Sequence, residues 1–384
     1  MPLHSLFATC PRGLEPVLVA ELERVGATSV VSTGGGAAFE GDDAVCYRAN
    51  LESRVATRIL RRMAHVPYKR EQDIYDAVHA IPWREWFDVR QSIRVDVNAT
   101  RCPLKSLDFV TLRIKDAVCD RFREEIGARP DVDTREPDVR IAGYLDATHF
   151  TLYLDTSGEP LHRRGYRGRT GEAPLRENLA AGLIALSGWD GVEAFVDPMC
   201  GSGTILIEAA MIALDIAPGS RRTFGFERLN GFDAALWQRI RDAVIAREKP
   251  RRALPIFGAD LFGDALKNAR DTLDYAGFGE VVSLKQANVL ELPPPAAGGV
   301  MMTNPPYGVR MGEDDGLAAF YPKLGDALKA RWAGWRCFFF TADLRLAKLI
   351  GLKASRRTPL FNGTLECRLF EYRMISGSLR KPAA

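Results

Sequence analysis

The 384-residue sequence has no Cys-x-x-Cys pair among its seven cysteines, which are odd in number and scattered along the chain. That spacing excludes a zinc ribbon or a disulfide framework and suits a reducing compartment. The five histidines (His4, His65, His79, His149 and His162) show no ligand spacing, so no metal site is expected. Residues 1–10 lack the basic region and long apolar stretch of a signal peptide. No apolar run approaches the ~20 residues that cross a bilayer. A soluble, cytoplasmic monomer without a membrane partner is therefore expected. The formal net charge is only +3, so a nucleic-acid partner has to be argued from where the charges sit. There is no internal repeat, and low complexity is confined to the short loop 293–299.

What is present is ample apolar material, 46% of residues against 26% charged. At this length two or three domains are expected. The first 60 residues read as a small α+β unit, with a strand at 4–10, a helix ending at Gly26, a strand with a turn over 29–39 and a helix over 44–60. Residues 61–160 read as a second α+β unit. It has a strand at 62–67, helices at 73–80 and 107–126, a strand at 92–99 and a hairpin of 139–145 with 150–154. No catalytic constellation falls in this second unit, so binding is its expected task. Basic residues on the 107–126 helix are interleaved with acids, the pattern of a solvated face with i to i+4 pairs.

Residues 160–171 differ. Arg163, Arg164, Arg167 and Arg169 surround Tyr166 and three glycines with no acid among them. Arginine pairs with phosphate and an aromatic ring stacks on a base, so the strip is a candidate RNA contact; a charged linker is the plainer alternative. Beyond Glu172 the chain alternates helix and strand, ending in two strands near 364–373. This is the pattern of a doubly wound, mostly parallel α/β sheet, whose ligands sit at the carboxyl ends of the strands.

Two loops in this half carry the chemistry. Val196-Asp197-Pro198-Met199-Cys200-Gly201-Ser202-Gly203-Thr204 reads as a buried strand, a glycine turn and a helix start, followed by an apolar run over 205–214. Glycine allows close backbone approach, and the exposed N–H groups of the helix favour an anionic group. No Gly-Lys-Ser/Thr follows Gly203, which excludes a Walker loop, and position 206 is leucine, which breaks the dinucleotide fingerprint. Asp260, at the end of the next strand, suits a ribose diol. A ribose acid without a diphosphate loop points to S-adenosylmethionine. The second loop, Asn304-Pro305-Pro306-Tyr307, can aim an exocyclic amine. The Asn304 side-chain oxygen and the Pro305 carbonyl each accept one N–H, two prolines stiffen the turn, and Tyr307 can stack on an extruded base. Cys200 has no partner base and reads as packing.

These motifs resemble the THUMP-domain class I RNA methyltransferases, and within them the bacterial RlmL-type guanine-N2 methyltransferases. Ser5 to Thr9 with Arg12-Gly13-Leu14-Glu15 is similar to the family's opening. Lys115-Asp116-Ala117, Arg129 to Asp133 and Leu154-Asp155-Thr156-Ser157-Gly158 resemble its THUMP region, and Leu161 to Arg167 the segment that follows. Ala173-Pro174-Leu175, Asp197 to Thr204 and Thr303 to Arg310 match the catalytic motifs. The resemblance implies a ferredoxin-like unit (1–60), a THUMP RNA-binding domain (61–160) and a Rossmann-like methyltransferase domain (161–384). It implies cofactor contacts at Pro174, Asp197, Gly201, Gly203 and Asp260, with Thr204 opening the helix beside them. Where such enzymes often place an aspartate near the adenine, this chain has Asn288, whose carbonyl oxygen can still meet the amino group. Some relatives carry a second methyltransferase domain beyond the last of these motifs, so a single modification is expected here. The implied activity is methylation of a guanine N2 amine in 23S ribosomal RNA. The same chemistry on a transfer RNA is the alternative, and a non-catalytic RNA-binding or assembly factor is the reading from another class.

Overall fold

Two seven-stranded sheets organise the chain in a computed structural model, which describes residues 2–166, 175–305 and 314–375. The chain divides into two units. The first comprises Met1–Cys10, Leu18–Leu161 and Gly219–Ala243, and the second Pro11–Val17, His162–Pro218 and Val244–Ala384.

Up to residue 155 the elements run β1 (His4–Thr9), α1 (Glu15–Arg24), β2 (Thr28–Thr33), β3 (Gly36–Gly41), α2 (Asp43–Glu52) and β4 (Arg58–Pro67). They continue with α3 (Glu71–His79), β5 (Ile93–Ala99), α4 (Leu107–Ile126), β6 (Val139–Leu145) and β7 (His149–Asp155). The strands form one sheet in the order β2-β3-β1-β4-β7-β6-β5, with β5 and β6 parallel and the other pairs antiparallel. The helix expected over 44–60 stops at Glu52, and Arg58 to Leu60 already belong to β4. Locally Val55 to Leu60 could extend a helix. Pairing of Leu60 with Phe7 on one side and Asp155 on the other decides otherwise, because strand choice depends on partners far away in sequence.

Helix α4 begins at Ser106, whose hydroxyl accepts the Phe109 N–H at 3.2 Å, and ends at Gly127 in the left-handed conformation at φ 71. Between these caps Val110, Ile114, Ala117, Val118 and Phe122 recur on one face and are buried with Ile141, Leu145, Phe150, Leu152 and Leu154 of the sheet.

Residues Gly219–Ala243 are an excursion into this first unit that the expected three-part division does not anticipate. Gly219 donates to the Leu51 carbonyl at 2.9 Å, and Phe226 stacks on Tyr47 at 4.3 Å between centroids. Phe226 and Phe232 thereby join Tyr47, Arg61 and Trp86 in lining a cavity of about 270 Å³.

The second half adds α5 (Glu177–Ser187), β8 (Phe195–Asp197), α6 (Thr204–Ala213), α7 (Ala234–Ile245), β9 (Ile256–Asp260), α8 (Gly263–Ala276) and β10 (Ser283–Gln286). Then come β11 (Gly299–Thr303), α9 (Asp314–Arg331), β12 (Trp335–Thr341), α10 (Leu346–Leu349), β13 (Arg356–Asn362) and β14 (Leu365–Arg373). Sheet order is β10-β9-β8-β11-β12-β14-β13, parallel from β10 to β12 and antiparallel beyond. The closing pair starts at Arg356, not near residue 364. Pro359, Arg356 and Arg357 disguise β13 in the sequence, and its place at the sheet edge tolerates them. Met301, Trp332, Trp335, Phe339 and Tyr372 fill one core of this unit. Among the described residues, no helix is long and apolar enough to cross a membrane.

Candidate active site

The strand order reverses at β8, which lies between β9 and β11, and in doubly wound sheets the ligand crevice opens at that point. Asp197 ends β8 opposite Gly258, so Asp260 lies two residues beyond its level on β9. Val196 opposes Met301, which places Asn304 two residues beyond the Asp197 level on β11. At ~3.3 Å per residue, Asp260 and Asn304 rise by a similar height on either side of the glycine loop.

Asp197 is 1% exposed and accepts the Met199 N–H at 3.2 Å. Burial pushes its carboxyl up to about 7. The Thr303 side chain and the Met199 N–H oppose that push, and the Asp260 charge adds to it. The chain then turns through Gly201 (φ 52) and Gly203 (φ 78), both in the left-handed region that favours glycine. A Cβ on Gly201 would meet no atom of the described residues within 4 Å. The turn is fixed to β9 by bonds from Cys200 N–H to the Ala259 carbonyl (2.9 Å) and from Gly201 N–H to Asp260 Oδ2 (3.0 Å). Phe262 N–H donates to the other oxygen, Oδ1, at 3.0 Å. Thr204, buried, opens α6. Burial and the neighbouring Asp197 and Asp260 charges push the Cys200 thiol up, so it is no nucleophile at neutral pH.

Asn288 follows β10 and turns the chain: its side-chain oxygen accepts the Leu290 N–H and its carbonyl those of Glu291 and Leu292, each at 3.0 Å. Asn304 is half-buried and Pro305 buried. The Asn304 Oδ1 atom is inaccessible and has no hydrogen-bond partner among the described residues. Pro174, Pro306, Tyr307, Arg167 and Arg169 lie outside the described residues.

The basic strip is partly corrected. Arg163 is exposed, but Arg164 and Tyr166 are each 2% exposed. The Arg164 guanidinium donates to Glu208 Oε1 at 3.4 Å, and the Tyr166 hydroxyl donates to the same oxygen at 2.9 Å. These two side chains therefore present nothing to RNA. The reason is Glu208, a wholly buried acid on α6 that needs a counter-charge. Its signal in the sequence was a lone carboxylate inside the apolar run 205–214.

The residues present fit a nucleoside cofactor. No described residue crowds Gly201, each Asp260 oxygen keeps acceptor capacity beyond its one backbone bond, and exposed Leu261 and Phe262 supply apolar surface beside them. A doubly wound sheet with an acid and glycine turn after one strand, a second acid after the next, and Asn-Pro after a third defines a methyltransferase-type α/β domain.

The chain belongs to the family described as RMKL-like methyltransferases, matched over residues 164–371, with a THUMP domain at 68–155 and an RlmL ferredoxin-like domain at 5–60. It is 41% identical to the ribosomal RNA large subunit methyltransferase K/L of Aeromonas hydrophila over 98% of this chain and 55% of that protein. The chain thus spans about half the length of the curated K/L relatives it matches. A candidate RNA methyltransferase of Synechocystis sp. is 38% identical, with 96% of each chain covered. The crystal structure of a candidate methyltransferase complexed with SAH, the product of S-adenosylmethionine, superposes with a TM-score of 0.89 at 30% identity. It covers 98% of this chain and 100% of that one. The second unit is accordingly an S-adenosylmethionine-dependent methyltransferase domain of Rossmann-like fold.

Proposed function

We propose that the chain transfers a methyl group from S-adenosylmethionine to the N2 amine of a guanine in large-subunit ribosomal RNA. The carrying observation is Asn304 Oδ1, a buried amide oxygen without a partner among the described residues. Such an atom costs roughly 1–3 kcal/mol unless something bonds to it, and a substrate amine supplies the missing N–H.

When bound, the cofactor supplies an electrophilic methyl group on a sulfonium. Asp260 would hold the ribose hydroxyls, and the Gly201 turn would let the backbone approach. Asn304 and the Pro305 carbonyl would each accept one N–H of the amine, directing the nitrogen lone pair. Pro306 would stiffen this loop and Tyr307 stack on the base. The methylated ammonium is acidic and releases its proton to water. Within this reading residues 1–60 and 61–160 grip RNA, residues 161–384 carry the chemistry, and Arg163, Arg167 and Arg169 meet phosphates. The THUMP match and the naming of the K/L relatives support RNA, and ribosomal RNA in particular. With ribosomal RNA as its substrate, the protein would act in the cytoplasm.

The reading is tested by mapping N2-methylguanine in ribosomal and transfer RNA from cells with and without the protein; a change confined to transfer RNA selects the alternative substrate. Asn304→Ala is expected to slow methyl transfer by about a hundredfold or more, the scale of losing one aligned donor–acceptor contact, with S-adenosylhomocysteine affinity kept. An unchanged rate would sink the catalytic assignment.

A further inference from the structure

The sheet of the first unit has two unlike faces. On β5, β6 and β7 the residues Ile93, Ile141, Leu145, Phe150, Leu152 and Leu154 are buried in the core that includes α3 and α4. Alternation puts their neighbours on the opposite face. There Tyr144 of β6 and Tyr153 of β7 flank Thr151, the register partner of Tyr144, while Arg62 of β4 opposes Tyr153. Tyr144 is 40% exposed, and Arg62 and His65 are exposed.

Further rings extend this surface. Phe7 of β1 lies 6.0 Å from Tyr153, and the His65 and His149 rings stack at 4.8 Å and 7°. The face carries little free negative charge, since Asp96 of β5 is bound to Arg94 at 2.7 Å. The Arg62 side chain makes no ion pair or hydrogen bond among the described residues, and its charge acts on the Tyr153 hydroxyl.

This combination selects a ligand. Tyr144 and Tyr153 are diagonal neighbours on adjacent strands, about 7–8 Å apart, a spacing that two consecutive splayed nucleotides can cover. Aromatic faces stack on bases only where the bases are unpaired, because a duplex hides them and offers its backbone instead. An exposed arginine beside the rings suits the phosphate between two such bases.

We propose that this open face of the β4-β7-β6-β5 sheet is a platform for an unpaired segment of the substrate RNA. Bases stack on Tyr144 and Tyr153, and Arg62 meets the intervening phosphate. The proposal rests on the RNA reading above and names the surface that would serve it.

The test is fluorescence anisotropy of the full chain with a labelled single-stranded RNA decamer and with the same sequence as a duplex. Tyr144→Ala and Tyr153→Ala should each weaken single-strand binding about fivefold or more, while duplex binding is unchanged. Tyr144→Phe and Tyr153→Phe should bind as wild type. Arg62→Ala should lower the slope of log affinity against log salt by about 0.7. Circular dichroism and thermal melting check that each variant folds. Independently, wild-type protein crosslinked to 4-thiouridine RNA should give adducts on β6 and β7. Alanine variants that bind single strands normally, or crosslinks confined to other segments, would overturn the platform alone. Failure of the wild-type chain to bind any RNA would overturn the RNA reading as well.

Discussion

The Gly201 N–H donates to Asp260 Oδ2 at 3.0 Å, so the acid proposed to hold the ribose also fixes the glycine turn proposed to lie against the cofactor. Its other oxygen holds the Phe262 N–H. Asp260→Ala removes both acceptors at once. Hydrogen bonds to a charged group contribute about 1.5–3 kcal/mol each. Titration calorimetry with S-adenosylhomocysteine should show affinity falling at least tenfold, about 1.4 kcal/mol, with a lower melting temperature. Asp260→Asn keeps one acceptor oxygen and should fall between the two. Unaltered affinity in the alanine variant would remove Asp260 from the cofactor site.

Gly201 and Gly203 share a left-handed backbone but not their surroundings. A Cβ at Gly201 meets no atom of the described residues within 4 Å, whereas one at Gly203 packs 3.5 Å from Ala269 Cβ. Alanine at either position costs about 1–2 kcal/mol in backbone strain. Gly201→Ala should in addition lose more than tenfold in S-adenosylhomocysteine affinity, because its methyl group occupies the space a ligand would take. Comparing urea unfolding with calorimetry separates the two effects, and equal losses of affinity and stability would contradict this placement.

The sequence carried the second sheet further than the first. Asp197 to Thr204 was legible because glycine, a short apolar strand and a helix start are local features, and the parallel order follows from their alternation. The limits of α2 and β4 were not legible, since Leu60 is drawn into the sheet by Phe7 and Asp155, distant partners that no local pattern reveals. Arg164 and Tyr166 looked like an RNA strip for the same reason: Glu208, which buries them, lies more than forty residues away. The glycine loop could be read as a ligand site, yet not the tie between Gly201 and Asp260 that makes it rigid.

Asp197 provides a pH test. Its carboxyl is raised from 3.8 to about 7 by burial, so the native state holds a proton that the unfolded chain releases. The stabilisation from this group is fully present below about pH 4 and is lost as pH rises through 7. Asp197→Asn has no such titration. The wild-type stability minus that of the variant should therefore decline between pH 4 and pH 7, by up to a few kcal/mol. Urea unfolding at half-unit pH steps measures it, and a flat difference would show that the native carboxyl titrates as it does in the unfolded chain.

The buried pair of Arg164 and Glu208 has a different signature, because two charges in the core are worth less together than either costs alone. Their side chains are 1% and 0% exposed. Glu208→Ala takes the Glu208 carboxylate away from the buried guanidinium and removes an acceptor of the Tyr166 hydroxyl. A loss of about 3–5 kcal/mol is expected, as for other broken buried pairs. Arg164→Met with Glu208→Leu replaces both charges by apolar groups of similar length. Compared with Arg164→Met and Glu208→Leu made singly, that double variant should recover most of the loss, giving a large favourable coupling in a double-mutant cycle by chemical denaturation. If the two single losses simply add, the pair is not an interacting unit, and the burial of Arg164 would need another cause.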